Sequence, residues 1–241
     1  MTDLTDKVAV ITGASYGIGR AISIGLAGKG CRTILVARGR ENLIKTKELI
    51  DERDGFAACF AADIGNAGDV ENLRDYLMAN FHGVDFLINN ASGWISGPLL
   101  ESGDAALEEL FRTTVYGTAL VTKKLLPLMI ERGGNIVFIG STAGTMHRYS
   151  LHTAYVAAKN AVAGFSRCLR NEVSGFNVRV TTIHLGQVYE TYPYDSEEID
   201  TESAESRLSV HDVVDAVMFV VSRGESASVD EIVMTPVKKE Y

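Results

Sequence analysis

The chain has 241 residues, 46% of them apolar, which is enough to bury one sizeable core in a single domain spanning residues 1–241. Its formal net charge of -8 argues against a nucleic-acid partner, which would call for clustered Lys and Arg. No run of about 18 apolar residues exists, and no basic segment followed by a long apolar stretch opens the chain, so neither a membrane span nor a secretion signal is expected. Cys31, Cys59 and Cys168 are odd in number, far apart and outside any metal spacing, which reads as reduced core thiols in a cytoplasmic protein without a metal site.

In chain order, the apolar run Val8-Ala9-Val10-Ile11 reads as a buried strand. It runs into Thr12-Gly13-Ala14-Ser15-Tyr16-Gly17-Ile18-Gly19, and a helical pattern with Ile18, Ala21, Ile22 and Gly25 on one face follows. The motif thus sits on a strand-to-helix turn. Gly13 would turn the chain sharply, while Gly17 and Gly19 remove Cβ atoms that would hold a pyrophosphate away from the helix start. Unpaired amides and the positive end of the helix dipole would face the anion. A tight connection with no ligand is the plainer alternative for the glycines taken alone.

The second strand, Arg32 to Ala37, is followed by Arg38 and Arg40, with no acid before Glu41. An acid there would suit a ribose 2′-hydroxyl and a base a 2′-phosphate, so the pattern predicts NADP(H) over NAD(H), the latter remaining possible. An ordinary solvated loop arginine is the alternative. A charged helix is expected from about Arg40 to Asp54, a third strand from Phe56 to Ala61, a helix from Asp69 to Phe81 and a fourth strand from Val84 to Asn89. Asp63, just past the third strand, would accept a hydrogen bond from an adenine amino group.

A long helix is expected from about Asp104 to Ile130, bent or ended by Pro127, with Leu107, Phe111, Thr114 and Thr118 on one inward face. The fifth strand is Asn135 to Gly140, an Ala-rich helix spans Thr153 to Val173, and a sixth strand spans Val178 to Ile183. A helix from Val210 to Val221, capped by Ser209, and a strand from Val229 to Met234 complete the chain. Short apolar strands alternating with helices predict a single-domain α/β fold, a Rossmann-like doubly wound parallel sheet of about seven strands with helices on both faces. Ligands in such sheets bind at the carboxyl ends of the strands.

Tyr155 and Lys159 are four apart on one helix face, and Ser141 closes the preceding strand, so all three reach the same end of the sheet as the glycine turn. A phenol, with a reference pKa of about 10, is a poor acid or base at neutral pH until positive charge favours its anion. Lys159 would supply that charge, Tyr155 would exchange a proton with a substrate oxygen, and Ser141 would donate a hydrogen bond to the same oxygen. A helix-capping serine and a surface Tyr-Lys pair are the structural alternative for each residue alone.

Thr12-Gly13-x-x-x-Gly17-x-Gly19, Asp63, Asn89-Asn90-Ala91, Ser141, Tyr155-x-x-x-Lys159 and Gly186 stand in the order and spacing of the short-chain dehydrogenase/reductase family, which the sequence resembles over nearly its whole length. The resemblance implies catalysis by Ser141, Tyr155 and Lys159. It implies cofactor contacts from Gly13, Ser15, Tyr16, Gly17, Ile18, Gly19, Arg38, Asp63, Ile64, Asn90, Ala91, Tyr155, Lys159, Gly186 and Val188, with Asn89 lining the cofactor cleft. Lys159 would also hold the nicotinamide ribose. A homodimer or homotetramer is implied, built through the helices near Asp104–Ile130 and Thr153–Val173.

Three departures qualify the match. The family's Asn-x-x-Gly in the long helix reads Thr114-Val115-Tyr116-Gly117, so Thr114 would have to serve the proton relay. The usual Pro-Gly is Leu185-Gly186, and the Thr expected a few residues later is Thr191 only with a shift, Glu190 holding the nearer position. The common Asp-Gly-Gly near the end is missing.

The expected activity is hydride transfer between a nicotinamide cofactor and a small carbonyl or alcohol substrate; an NADPH-binding regulator or scaffold with weak or no turnover is the competing reading. Walls of the substrate pocket are expected from Ser92, Gly93, Trp94, His147, Tyr149 and His152, and from the segment holding Tyr189, Tyr192 and Tyr194. From Glu190 to Glu205 there are seven acids and no Lys or Arg, which suggests a lid over residues 187–207 or, equally, a solvated helix.

Overall fold

The structure, a computed structural model, describes residues 2–145, 152–189, 207–224 and 226–237. Nine strands are described: β1 (Val8–Thr12), β2 (Arg32–Ala37), β3 (Phe56–Ala61), β4 (Phe86–Asn89), β5 (Gly134–Ser141), β6 (Val178–Leu185), β7 (Val188–Tyr189), β8 (Leu208–Ser209) and β9 (Glu231–Met234). The helices are α1 (Gly17–Ala27), α2 (Arg40–Asp51), α3 (Ala67–Phe81), α4 (Asp104–Phe111), α5 (Thr118–Leu125), α6 (Pro127–Ile130), α7 (Thr153–Val173) and α8 (Val210–Val221). Seven strands form one parallel sheet in the order β3-β2-β1-β4-β5-β6-β9, and β7 pairs with β8 in a separate ribbon.

Strand alternation explains the two layers of helices. Ala9 and Ile11 of β1, with Val137 and Ile139 of β5, point to one face, where α1, α2 and α8 cover them through Ile22, Leu43 and Val217. Val8 and Val10, with Ile136 and Phe138, point to the other, under α3, α5 and α7 through Leu73, Leu125 and Leu169. A strand buried on both faces needs apolar residues at every position, which is why β1 reads as an unbroken run. The edge strands β3 and β9 are only partly covered. Ser209 caps α8 in a full capping box with Asp212, an arrangement worth about 1 kcal/mol.

The long helix departs from expectation. Between α4 and α5 the backbone forms a π-helical segment, Arg112–Gly117; α5 does end at Leu125, just ahead of Pro127, as expected, and Pro127 then opens the short α6. A π turn holds more residues than an α turn, so the face facing the core shifts within the segment. Thr114 and Thr118 are buried as expected, but Phe111 is 40% exposed. The thiols differ too: Cys31 is buried, its pKa pushed up to about 12 by burial, whereas Cys168 is exposed.

Candidate active site

Strand order reverses between β1 and β4, which opens a crevice at their carboxyl ends. Thr12 ties the two lips together. Its Oγ1 accepts the backbone amides of Asn90 (3.0 Å) and Ala91 (3.1 Å), and Asn90 Nδ2 donates to the carbonyls of Thr12 (3.0 Å) and Gly13 (3.2 Å). Asn89 does not line the cleft: it is buried, with Nδ2 donating to Thr122 Oγ1 at 3.0 Å, because alternate residues of a strand point to opposite faces.

The glycine turn is shaped by backbone it alone permits. Gly13 and Gly17 have φ of 68° and 54°, and a Cβ on Gly19 would lie 2.2 Å from the Gly13 carbonyl oxygen. Helix α1 starts without a side-chain cap and without an acid in its first turn, so its amide hydrogens and dipole remain for an anion. Beneath the turn lies Arg20, buried, whose guanidinium donates to the Ser15 carbonyl (2.5 Å) and to Thr46 Oγ1 (3.1 Å). The Thr46 hydroxyl in turn lies 3.0 Å from the Ala14 carbonyl. Sequence reasoning missed this brace. The signal was an arginine inside an apolar helix, which needs buried partners to offset desolvation.

A cleft of about 880 Å³ runs from this turn across the sheet edge. Gly13, Ser15, Tyr16, Gly17 and Ile18 line one end; Arg38, Asp63 and Ile64 line its flank; Asn90 and Ala91 form the floor; Gly186 and Val188 close the far wall. Ser141, Tyr155 and Lys159 also face it. Gly19 is set back and acts by allowing close approach.

Ser141 ends β5 and Tyr155 and Lys159 ride on the first turns of α7, which packs back against that strand. Ser141 Oγ accepts the Ala143 amide at 3.2 Å, so its own hydrogen can point elsewhere. Lys159 is 5% exposed; its Nζ donates to the Ile139 carbonyl (3.3 Å) and sits 5.6 Å from the centre of the Tyr155 ring. A buried ammonium beside a phenol, facing a serine hydroxyl and an uncapped helix start across one cleft, is suited to moving a proton next to a bound dinucleotide.

Residues 7–198 match the short chain dehydrogenase family. This chain belongs to that family. It is 36% identical over 181 residues to a fatty acyl-CoA reductase of Acinetobacter baylyi, a match covering 74% of the chain but only 61% of the length of that relative. It is 29% identical to an uncharacterized oxidoreductase of Staphylococcus saprophyticus over 98% of the chain and all of the relative. An alcohol dehydrogenase from the archaeon Thermococcus sibiricus, solved with 5-hydroxy-NADP, superposes with a TM-score of 0.87 at 26% identity, covering 98% of this chain and 99% of its own.

In this short-chain dehydrogenase the remaining expected residues fall into distinct settings. Thr114 is buried outside the cleft lining. Its Oγ1 accepts the Gly93 amide at 3.0 Å and lies 3.3 Å from Ser92 Oγ, so the hydroxyl holds the loop after β4. Its neighbour Thr113 reaches the cleft instead. Ser92, Gly93, Trp94 and His152 do line it. The Trp94 ring is 4.4 Å from Tyr155, edge to face, and 5.2 Å from His152, whose Nδ1 accepts the Gly97 amide at 3.1 Å. His147, Tyr149, Thr191, Tyr192 and Tyr194, and the acidic segment from Glu190 to Glu205, lie outside the described residues.

Asp63 has both carboxylate oxygens engaged, one accepting the Gly65 amide (2.9 Å) and the other Arg112 (2.7 Å). Burial pushes its pKa up, but these hydrogen bonds and the charges of Arg112 and Arg38 outweigh it and hold the carboxyl below its usual range. A second group that sequence reasoning missed lies beneath Ser141. His184, fully buried on β6, has Nδ1 3.3 Å from the Ser141 carbonyl oxygen and Nε2 3.6 Å from the Glu231 carboxylate, which accepts Arg167 at 2.8 Å. Burial pushes the His184 pKa down, and Arg167 holds Glu231 low.

Proposed function

We propose that this enzyme is an NADPH-dependent oxidoreductase that interconverts a carbonyl and a secondary alcohol by hydride transfer. One observation carries the reading: the uncapped glycine turn, a basic residue after β2 and the group Ser141, Tyr155 and Lys159 all open into one cleft. The cradle fits a dinucleotide, because Gly13 and Gly17 adopt left-handed backbone and no Cβ fits at Gly19. Arg38 favours a 2′-phosphate, and the archaeal alcohol dehydrogenase that holds 5-hydroxy-NADP supports the same preference. The cofactor, when bound, supplies or takes up the hydride.

The chain's own residues would manage the proton and the orientation. Amides at the start of α1 bind the pyrophosphate, and Lys159 favours the phenolate form of Tyr155 while holding the nicotinamide ribose. Tyr155 gives a proton to the substrate oxygen during reduction and takes it back during oxidation, while Ser141 donates a hydrogen bond to that oxygen as charge develops. Trp94 and His152 wall the substrate side. Gln187, Val188 and Arg207 at the cleft, with β7 paired to β8, support assigning 187–207 as a substrate lid. The apolar strip on which Phe111 and Tyr116 are exposed supports a homo-oligomer, and three free thiols support a cytoplasmic setting.

The test mixes protein and NADPH with ketones, aldehydes, keto acids and, after the Acinetobacter relative, a fatty acyl-CoA, while the absorbance of the reduced cofactor is followed. Substrate-dependent loss of absorbance is expected. NADPH binding without turnover across the panel would favour the regulator instead.

A further inference from the structure

Behind the proposed 2′-phosphate site stands a row of alternating charges. Arg38 Nη1 lies 2.5 Å from Glu109 Oε1; the other oxygen of Glu109 lies 2.5 Å from Arg112, and Arg112 continues to Asp63 at 2.7 Å. Thr113 Oγ1 adds a 2.9 Å hydrogen bond to Glu109, so the next turn of the same helix holds the carboxylate through both Arg112 and Thr113. Although burial raises its pKa, those bonds and the charge of Arg38 hold Glu109 low, so it is ionised at neutral pH. Arg38 lines the cleft, whereas Glu109 does not.

A guanidinium clasped by a fixed carboxylate is not fully available to a phosphate. The incoming dianion must displace Glu109 from Arg38 or share the fork with it, and in either case it meets a like charge within a few ångströms. A ribose 2′-hydroxyl has no such competition, since it neither needs the guanidinium nor repels the acid. From this geometry we infer that Glu109 is a specificity-determining residue: it lowers the affinity for NADP(H) while leaving that for NAD(H) unchanged, and so narrows the discrimination that Arg38 creates. This rests on the reading of Arg38 as the 2′-phosphate residue.

Titration of NADPH and NADH into the parent, Glu109→Gln, Arg38→Met and the double variant, by fluorescence or calorimetry, tests it. An ion pair exposed to this degree corresponds to a few-fold effect, so Glu109→Gln should bind NADPH about twofold to fivefold more tightly with NADH affinity unchanged, and the gain should shrink when Arg38 is Met. Unchanged or weaker NADPH binding in Glu109→Gln, or a gain just as large without Arg38, would overturn the inference. If Arg38→Met alone leaves both affinities as in the parent, the Arg38 assignment itself fails and takes this role of Glu109 with it. Glu109→Ala serves if the Gln variant does not fold, with the same sign expected.

Discussion

Tyr155 and Ser141 face the cleft, whereas His184 is buried against the Ser141 carbonyl and carries the pH response. Tyr155 lies beside an ammonium, and Tyr155→Phe removes the hydroxyl that exchanges the proton while keeping the ring against Trp94. Turnover should fall by about two to four powers of ten with NADPH affinity nearly intact, measured by steady-state rates and cofactor titration. Equal rates would remove Tyr155 from the mechanism. His184 is buried with its pKa below the usual 6.5, so between its folded value and 6.5 the unfolded chain binds more protons than the native one. Stability therefore falls as pH drops below 6.5, and Glu231, also depressed, loses its share only lower, as pH falls from 4.5 through its folded value. Melting midpoints recorded from pH 7.5 down to 5.5 should decline, and His184→Gln should flatten that decline.

At the scale of elements, the turn between β1 and α1 is the most constrained piece of the site. Gly19→Ala would press a methyl against the Gly13 carbonyl and the Asn90 amide, at 2.2 and 2.6 Å, and both are tied to β4. Such overpacking costs about 1–3 kcal/mol, and the damage should reach the far lip: a lower melting temperature and at least a tenfold loss of NADPH affinity are expected. The same turn was legible in the sequence because glycine spacing reports backbone directly. The π segment was not. Arg112 to Gly117 is rich in weak helix formers, Thr113, Thr114, Val115 and Gly117, but weak propensity does not single out a π turn, and close packing goes with it: a Cβ on Gly117 would lie 2.8 Å from Ile64 Cγ1. A uniform 3.6-residue period therefore put Phe111 inside with Thr114, and the structure leaves it in solvent.

Across the whole molecule, the exposed strip along α4 and the π segment is the largest consequence of that shift. Leu107, Phe111, Val115, Tyr116 and Ala119 form an apolar surface depression flanked by Glu108 and Arg112. If a second copy covers it, Phe111→Glu should lower the solution mass towards the 26.1 kDa of one chain in light scattering, with the melting temperature also reduced. Parent protein already at that mass would count against the homo-oligomer.

What the sequence by itself determined was the parallel sheet, the glycine cradle and the spacing of Ser141, Tyr155 and Lys159. These depend on local periodicity and backbone permissiveness, which are written residue by residue. Tertiary structure alone decided that Asn90 and not Asn89 faces the crevice, that Arg20 and Thr46 brace the turn, that His184 underlies Ser141, and that Glu109 clasps Arg38. Each of these joins residues 20 to 80 positions apart in the chain. Such pairs carry no short-range signal, because the partner of a charge or a buried polar group is chosen by where the sheet and helices bring it.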